Sequence, residues 1–278
     1  MRNSRLVICD PQSDLCDTID CKAVIPIPGS GVALEKTAAL IDRVGYIGLN
    51  PLTGISVILE QNRAVSICHA LFWEDSSGKP PAPYTCIYHQ DIVSGRWKPK
   101  LPGVTLPQIN GRSILEHCLL YTQRIESKGN YPLMIVPENC LLGTIGQTVV
   151  PELMNTLLYW EREEYAAVDF VFKTTNNFVD QIGGLVAEMK IRADKSTGID
   201  ATFLEHLGSA DIIGFCGSTL SHGVRYTVDQ AMKYLSAEHY PKMHILEDCC
   251  GMMPKIGELD FPEPVSYTHL TLPTSDLV

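Results

Sequence analysis

Short apolar runs alternate with segments of helical periodicity along most of this 278-residue chain. The apolar runs lie at residues 5–9, 55–60, 131–136, 167–173, 211–216 and 243–246. Between them, apolar residues recur at helical spacing near 32–44, 110–127, 147–164, 199–208 and 223–238. Strands that alternate with helices pair in parallel and carry helices on both faces of the sheet. The pattern therefore predicts an α/β fold, a three-layer αβα arrangement around a six-stranded, mainly parallel sheet.

The chain is predicted to form one domain, and two of its segments are unusual. No internal repeat or low-complexity linker interrupts residues 1–264, so we expect one domain there. Residues 61–107 are rich in proline, glycine and aromatic side chains and are too long for a plain connection. They are predicted to form either a cap that lines a site or an interface arm. Residues 265–278 resemble a translated sequencing adapter, so we expect that the natural C-terminus is missing.

Composition excludes several classes of function. The chain is 45% hydrophobic and 19% charged, which is ordinary for a globular protein, and its formal net charge is −10. It has no Lys/Arg cluster, which argues against binding to nucleic acid or to an anionic membrane. No apolar stretch approaches the ~20 residues of a membrane helix, and the first residues lack the apolar core of a signal peptide. We therefore expect a cytoplasmic protein whose ten cysteines are reduced.

Polar residues follow several of the apolar runs, at the point where each strand is predicted to end. In an open parallel sheet, ligands bind beyond the carboxyl ends of the strands. This rule selects Asp10, Glu60, Glu138, Lys173 and the segment 221–223. Lys173 directly follows a strongly apolar run and is expected to be partly buried. Because a buried lysine needs a carboxylate partner, Asp10 is its predicted partner.

Four runs of sequence resemble a known family. Residues 211–229, DIIGFCGSTLSHGVRYTVD, read as an apolar strand, a Gly-Ser-Thr turn and a helix that opens on Ser-His-Gly. They resemble the strand–turn–helix of the isochorismatase-like cysteine hydrolases, the family of the nicotinamidases, in which this run ends Ser-His-Cys-Val. The runs VICDPQSDLCD (7–17), YPLMIVPENCLLGT (131–144) and FKTTNNF (172–178) resemble the other family motifs in the same order. The resemblance extends from about residue 5 to residue 250.

The resemblance implies a cysteine hydrolase with an altered nucleophile position. It makes Asp10 the general base, Lys173 the lysine that helps to lower the pKa of a thiol, and position 223 the nucleophile. In the family a thiolate attacks an amide carbonyl and releases ammonia, so the implied ligand is a small planar amide or carboxylate such as nicotinamide or nicotinate. Thr219, Ser221 and His222 would lie around the substrate and the oxyanion. Position 223 is glycine here, which has no side chain that could attack.

The implied metal site and the turn before the helix are further expectations from the resemblance. Metal-binding members carry Asp-x-His and a later histidine, whereas this chain offers Glu60, Asn62 and His69. Because the neutral oxygen of asparagine is a weak ligand for zinc or iron, we expect a degenerate divalent-metal site and no cofactor. The family shapes the turn with a cis peptide bond, which would here join Ser218 to Thr219.

No other residue is a convincing replacement for the cysteine. Cys216 is predicted to point into the core, and Ser221 is expected to cap the helix rather than to attack a substrate. Three hypotheses follow. The first is a catalytically impaired nicotinamidase-like protein in which the space left at Gly223, beside Lys173, favours acids over amides. The second is an active amidohydrolase, with Gly223 a sequence error or with an unorthodox mechanism. The third is a non-catalytic subunit of a homo- or hetero-oligomer that uses the segment 61–107.

Overall fold

A central parallel sheet is the main feature of the computed structural model, which describes residues 3–18, 22–45, 52–129, 131–253, 255–256, 259–260 and 271–272. Within these residues the strands of the sheet are β1 (Ser4–Cys9), β2 (Gly54–Leu59), β3 (Asp169–Phe172), β4 (Ile212–Gly217), β5 (Met243–Cys250) and the two-residue β6 (Thr271–Leu272). Their order is β6-β5-β4-β1-β2-β3, and every neighbouring pair is parallel. Polar residues that follow β1, β2, β3 and β4 therefore lie at one edge.

Helices cover both faces of this sheet. Within the described residues the helices are α1 (Ser30–Gly45), α2 (His89–Val93), α3 (Ile114–Ser127), α4 (Pro151–Glu164), α5 (Ala201–Ser209) and α6 (Arg225–Tyr234). The helices α1 and α4 lie on one face of the sheet and α5 and α6 on the other, whereas α2 and α3 pack in a separate cluster. Successive residues of β1 point to opposite faces: Leu6 and Ile8 pack in a core with α1 and α4, whereas Val7 and Cys9 pack in a core with α5 and α6. The expected three-layer αβα fold is confirmed.

The predicted strand at 131–136 is wrong. In this segment the only strand is Leu133–Met134, which pairs antiparallel with Cys86–Ile87 outside the central sheet, while Val136 forms an isolated bridge with His69. Pro132 and Pro137 bracket these residues, and because proline has no N–H to donate, they limit the length of a ladder. The five long strands are the other five predicted runs. The short sixth strand, β6, lies in the segment 265–278, whose other residues lie outside the described part of the chain.

The segment 61–107 is built from short elements. Two-residue strands pair Trp73–Glu74 with Lys98–Pro99, and Thr105–Leu106 with Arg112–Ser113. The apolar side chains of the segment form a third buried cluster together with α3. A further two-residue pair joins Lys255–Ile256 to Leu259–Asp260. No helix within the described residues is long and apolar enough to cross a membrane.

Candidate functional site

The ends of three adjacent strands bring Asp10, Glu60 and Lys173 together. The backbone N–H of Asp10 donates to Ile58, and that of Lys173 donates to Leu59, so both residues extend the sheet ladder by one step. Lys173 Nζ lies 2.8 Å from Asp10 Oδ1 and 2.9 Å from Asp10 Oδ2. It also lies 3.3 Å from Glu60 Oε1. The partner that the sequence predicted for Lys173 is therefore in contact with it, and both side chains are buried, with 3% and 4% exposure.

Burial and crowding of acids set the protonation of this group. Burial and the charge of Glu60 outweigh the attraction of Lys173 and raise the pKa of Asp10 to about 7. Burial alone would lower the pKa of Lys173, but the charges of Asp10 and Glu60 raise it above its ordinary value. Burial and Glu60 also raise the pKa of Asp180 to about 6. The ammonium therefore stays charged while the carboxylates compete for it.

Gly223 faces the Asp10 carboxylate directly. A single π-helical turn, Leu220–Val224, follows β4 and carries Gly223 to the edge where Asp10 lies. A Cβ built at Gly223 would overlap Asp10 Oδ2 and would lie 3.4 Å from the Cβ of Cys9. Loss of the cysteine is expected to open space beside Lys173; in the structure the Asp10 carboxylate adjoins Gly223, and Gly223 itself lines a pocket.

A pocket of about 160 Å³ opens beside this group. Four acidic residues line it, Asp10, Glu60, Asp180 and Glu188, and Lys173 is not among its lining residues. Most of the remaining wall is apolar or aromatic, formed by residues that include Leu15, Ile25, Ile27, Cys68, Tyr121, Ile125, Tyr131, Leu133, Met134, Ile182 and Met253. The pocket thus presents carboxylates to a ligand and keeps the Lys173 ammonium behind them.

Tyr131 and His222 form one side of the pocket. Their ring centroids are 5.1 Å apart, and the Tyr131 hydroxyl accepts a hydrogen bond of 2.8 Å from Arg225. The backbone N–H of Tyr131 donates to the hydroxyl of Tyr226 at 3.2 Å. Burial, with the charge of Arg225, lowers the pKa of His222 to about 4, so its imidazole is neutral at pH 7.

The turn residues do not all reach the pocket. Thr219 and His222 line it, but Ser221 is fully buried and does not. The Ser221 hydroxyl lies 2.9 Å from Thr219 Oγ1 and 3.0 Å from His222 Nδ1. It does not cap α6, whose N-cap is Val224, so the expected capping role is wrong. The bond between Ser218 and Thr219 is trans, not cis as the resemblance implied.

The residues at the implied metal site do not fit a divalent transition metal. Glu60 Oε2 accepts from the side-chain amides of Asn62 at 3.4 Å and Asn139 at 3.1 Å, while Oε1 faces Lys173. His69 Nδ1 lies 3.1 Å from the Arg63 carbonyl and must donate to it, which leaves Nε2 buried without a hydrogen-bond partner in the described structure. Among the side chains of Glu60, Asn62 and His69, only this nitrogen is a buried polar atom without a partner in the part of the chain that the structure describes, and it could bind a metal. No three His, Cys, Asp or Glu side chains among the described residues are placed to hold a metal.

Nearby thiols are protonated. Burial raises the pKa of Cys9 to about 12 and holds that of Cys68, which lines the pocket, well above its ordinary value. Cys216 is fully buried, as predicted, and its pKa is also well above the ordinary value because of burial. None of these groups is a thiolate at neutral pH, and only a thiolate is an effective nucleophile.

Sequence reasoning missed the pocket roles of Asp180, Glu188 and Tyr131. The first two residues stand alone as acids within the otherwise apolar stretch 178–189, FVDQIGGLVAEM. Because an isolated carboxylate among apolar residues tends to lie at a buried polar site, this stretch carried a usable signal. Tyr131 had no such signal, since its position depends on contacts with Arg225 and Tyr226.

Comparison with known proteins identifies the fold. No protein-family model and no curated protein matches the chain, whereas several solved structures do. An Acinetobacter baumanii nicotinamidase/pyrazinamidase matches with a TM-score of 0.60 at 15% identity, over 100% of this chain and 99% of that one. The yeast nicotinamidase bound to the inhibitor nicotinaldehyde matches with a TM-score of 0.56 at 15% identity, over 90% and 88%. An L. infantum protein in complex with nicotinate gives 0.52 at 11% identity, over 99% and 94%. The chain therefore has the isochorismatase-like fold.

Proposed function

We propose that this chain is a nicotinamidase-like protein that is impaired in amide hydrolysis and keeps a pocket for one small, planar, neutral ligand. The observation that carries the proposal is the pocket itself. Its volume of about 160 Å³ is close to that of an engineered apolar cavity of about 150 Å³ that binds benzene. It lies at the carboxyl ends of parallel strands, where ligands of open α/β sheets bind.

The absence of a usable nucleophile supports the impairment. The position that the family gives to its cysteine is glycine, and the Asp10 carboxylate occupies the adjoining space. The thiols of Cys9 and Cys68 are held protonated by burial. The Ser221 hydroxyl is buried and bonded to Thr219 and His222, and a pKa of about 4 makes His222 a poor base near neutral pH.

The charges around the pocket favour an amide over an acid. A carboxylate ligand would face the acidic groups of Asp10, Glu60 and Asp180, while Lys173 is already paired with two of them. A neutral amide can instead donate its N–H groups to these oxygens. The structures of relatives contain nicotinaldehyde in the yeast enzyme and nicotinate in the L. infantum protein. We infer that this chain binds an aromatic amide of that size and rejects the corresponding acid.

Calorimetric titration with nicotinamide and with nicotinate tests this proposal. We expect nicotinamide to bind more tightly by about tenfold or more, because each unfavourable charge contact is worth on the order of 1 kcal/mol. The Asp180→Asn variant should reduce the preference, while Asp75→Asn, at an exposed loop carboxylate, should leave it unchanged. Neither the two variants nor the parent should release ammonia from nicotinamide. Equal binding of acid and amide, or turnover by the parent, would contradict the proposal.

A role as a subunit is the second candidate, and exposed apolar side chains of the segment 61–107 favour it. Leu71, Tyr88, Val93, Leu101 and Val104 are between 40% and 61% exposed. Apolar side chains concentrated in one segment are typical of an interface. Native mass measurement tests the assignment: a homo-oligomer, or a complex with an active homologue, supports it. A protein that stays monomeric with and without that homologue contradicts it.

A further inference from the structure

A second groove, of about 210 Å³, shares a wall with the pocket. We call it the cationic groove and define it by its lining residues Arg124, Lys128, Gly129, Val186, Ala187, Glu188, Lys190, Arg225, Tyr226, Asp229, Gln230, Lys233 and Tyr234. Glu188 lines both cavities. Arg225 lines the groove and donates to the hydroxyl of Tyr131, which lines the pocket.

Three parts of the chain place the cations of the groove. Arg124 and Lys128 lie at the end of α3, and Lys190 follows the apolar stretch that carries Glu188. On α6, Arg225, Asp229 and Lys233 are spaced four residues apart and so lie on one face. Five cations thus surround the groove with two carboxylates, in a chain whose formal net charge is −10.

Most of this positive charge is not neutralised by ion pairs. Arg225 Nε lies 3.7 Å from Asp229 Oδ2, and Lys128 Nζ donates to the backbone carbonyl of Glu188 at 2.6 Å. Within the described residues, Arg124, Lys128, Lys190 and Lys233 form no ion pair with a carboxylate. Burial lowers the pKa of Lys128, and the charges of Arg124 and Lys233 lower it further, against the opposing effect of Glu188. Cations that line one groove without a carboxylate partner repel one another, and an anion between them lowers that repulsion.

We propose that the cationic groove is a binding site for the phosphate or pyrophosphate group of a small molecule. Guanidinium and ammonium groups are the side chains that bind phosphate oxygens most effectively, with arginine offering paired N–H donors and lysine a point charge. Cations reach the groove from separate elements, so a multiply charged anion can contact several of them at once. This site is separate from the pocket, and it does not depend on the proposed amide ligand.

Titration with inorganic pyrophosphate at low ionic strength tests the assignment. We expect saturable binding by the 278-residue chain that weakens as salt is added. The Lys128→Gln/Lys233→Gln variant should lose at least about tenfold in affinity, because it removes two charged donors from the groove. The matched control, Lys36→Gln/Lys195→Gln, makes the same change in net charge at residues that do not line the groove. Its affinity should stay within about twofold of the parent's.

Further measurements identify the source of the anion, and a second variant is used if the first one misfolds. Binding of a nucleoside diphosphate more tightly than pyrophosphate assigns a nucleotide, whereas equal binding assigns a free phosphate species. If the circular dichroism spectrum of the double variant differs from that of the parent, the Lys190→Gln variant, changed at an exposed residue, is titrated in its place. The proposal is overturned if the parent does not bind pyrophosphate, if citrate binds as tightly, or if the control loses as much affinity as the groove variant.

Discussion

A methyl group at position 223 tests whether the Asp10 carboxylate occupies the space beside Gly223. Gly223 is buried, and a Cβ there would overlap Asp10 Oδ2. The carboxylate cannot turn aside freely, because both of its oxygens lie within 2.9 Å of Lys173 Nζ. A Gly223→Ala substitution must therefore displace the carboxylate from its partner or shift the turn.

The expected effect can be worked from these contacts. Overpacking a buried site costs about 1–3 kcal/mol, and breaking a buried ion pair costs about 3–5 kcal/mol. Replacing glycine by alanine where the backbone permits it stabilises by about 0.4–1 kcal/mol, which opposes the loss. Since the carboxylate need only shift, not leave, we expect Gly223→Ala to lower the free energy of unfolding by about 2–4 kcal/mol.

Urea denaturation of four proteins tests whether contact between the added methyl group and Asp10 causes the loss of stability. The parent, Gly223→Ala, Asp10→Ala and the double variant form a cycle whose coupling energy reports the contact. In the Asp10→Ala background the added methyl should cost less than about 0.5 kcal/mol. Gly208→Ala is the matched control, since its Cβ would lie 3.5 Å from Leu235 Cδ2, an ordinary contact. If Gly223→Ala is as mild as the control, or costs the same with Asp10 removed, the explanation fails.

Three further predictions concern the same group. Lys173→Met should lower the free energy of unfolding by about 3–5 kcal/mol in urea denaturation, because it leaves two acids without their cation; a loss no larger than that of Lys195→Met would contradict this. The free energy of unfolding should fall as the pH rises from about 3.8 to about 7, because folded Asp10 keeps a proton that the unfolded chain releases. In the Asp10→Asn variant the free energy of unfolding should depend less on pH over this range. An unchanged pH dependence would show that Asp10 does not hold the proton. Gly223→Cys adds the same Cβ as Gly223→Ala, so it should lower the free energy of unfolding by a similar amount. With the Asp10 carboxylate shifted beside the new thiol, the variant should release ammonia from nicotinamide above the parent's rate, since a carboxylate with a pKa of about 7 suits a base. Adding Asp10→Asn should abolish that gain; if the rate persists, Asp10 is not the base.

The sequence could predict the layers and the meeting of the polar residues, because both follow from local patterns. Asp10, Glu60 and Lys173 each follow an apolar run directly, and parallel strands place their carboxyl ends at one edge. The alternation of strands and helices was sufficient for the αβα arrangement. The contact between Asp10 and Lys173 followed from the need of a buried ammonium for a partner.

Features that depend on packing between distant segments could not be predicted in this way. The apolar run at 131–136 has the composition of a strand, but it pairs with Cys86–Ile87 because prolines bracket it and the segment 61–107 supplies its partner. The position of the Asp10 carboxylate against Gly223 is set by the backbone of Asp10, whose φ is 51°, a left-handed conformation that a pattern of residue types does not reveal. The two acids of the pocket wall that were not predicted, Asp180 and Glu188, come from the loop after Lys173 and have no periodicity.

The two ends of the site depart in different ways from the pattern that the sequence resembles, and this difference limits what a ligand can use. At one end a single side chain is missing, while Asp10 and Lys173 stay in contact. At the other end, the amides of Asn62 and Asn139 donate to Glu60, which gives that carboxylate partners that need no metal ion. A cysteine at position 223 would therefore place a thiol beside Asp10, which we propose as its base, but would not create a metal site. Any ligand must instead be oriented by the aromatic wall and by the carboxylates that face the pocket, which is why we expect an amide rather than an acid.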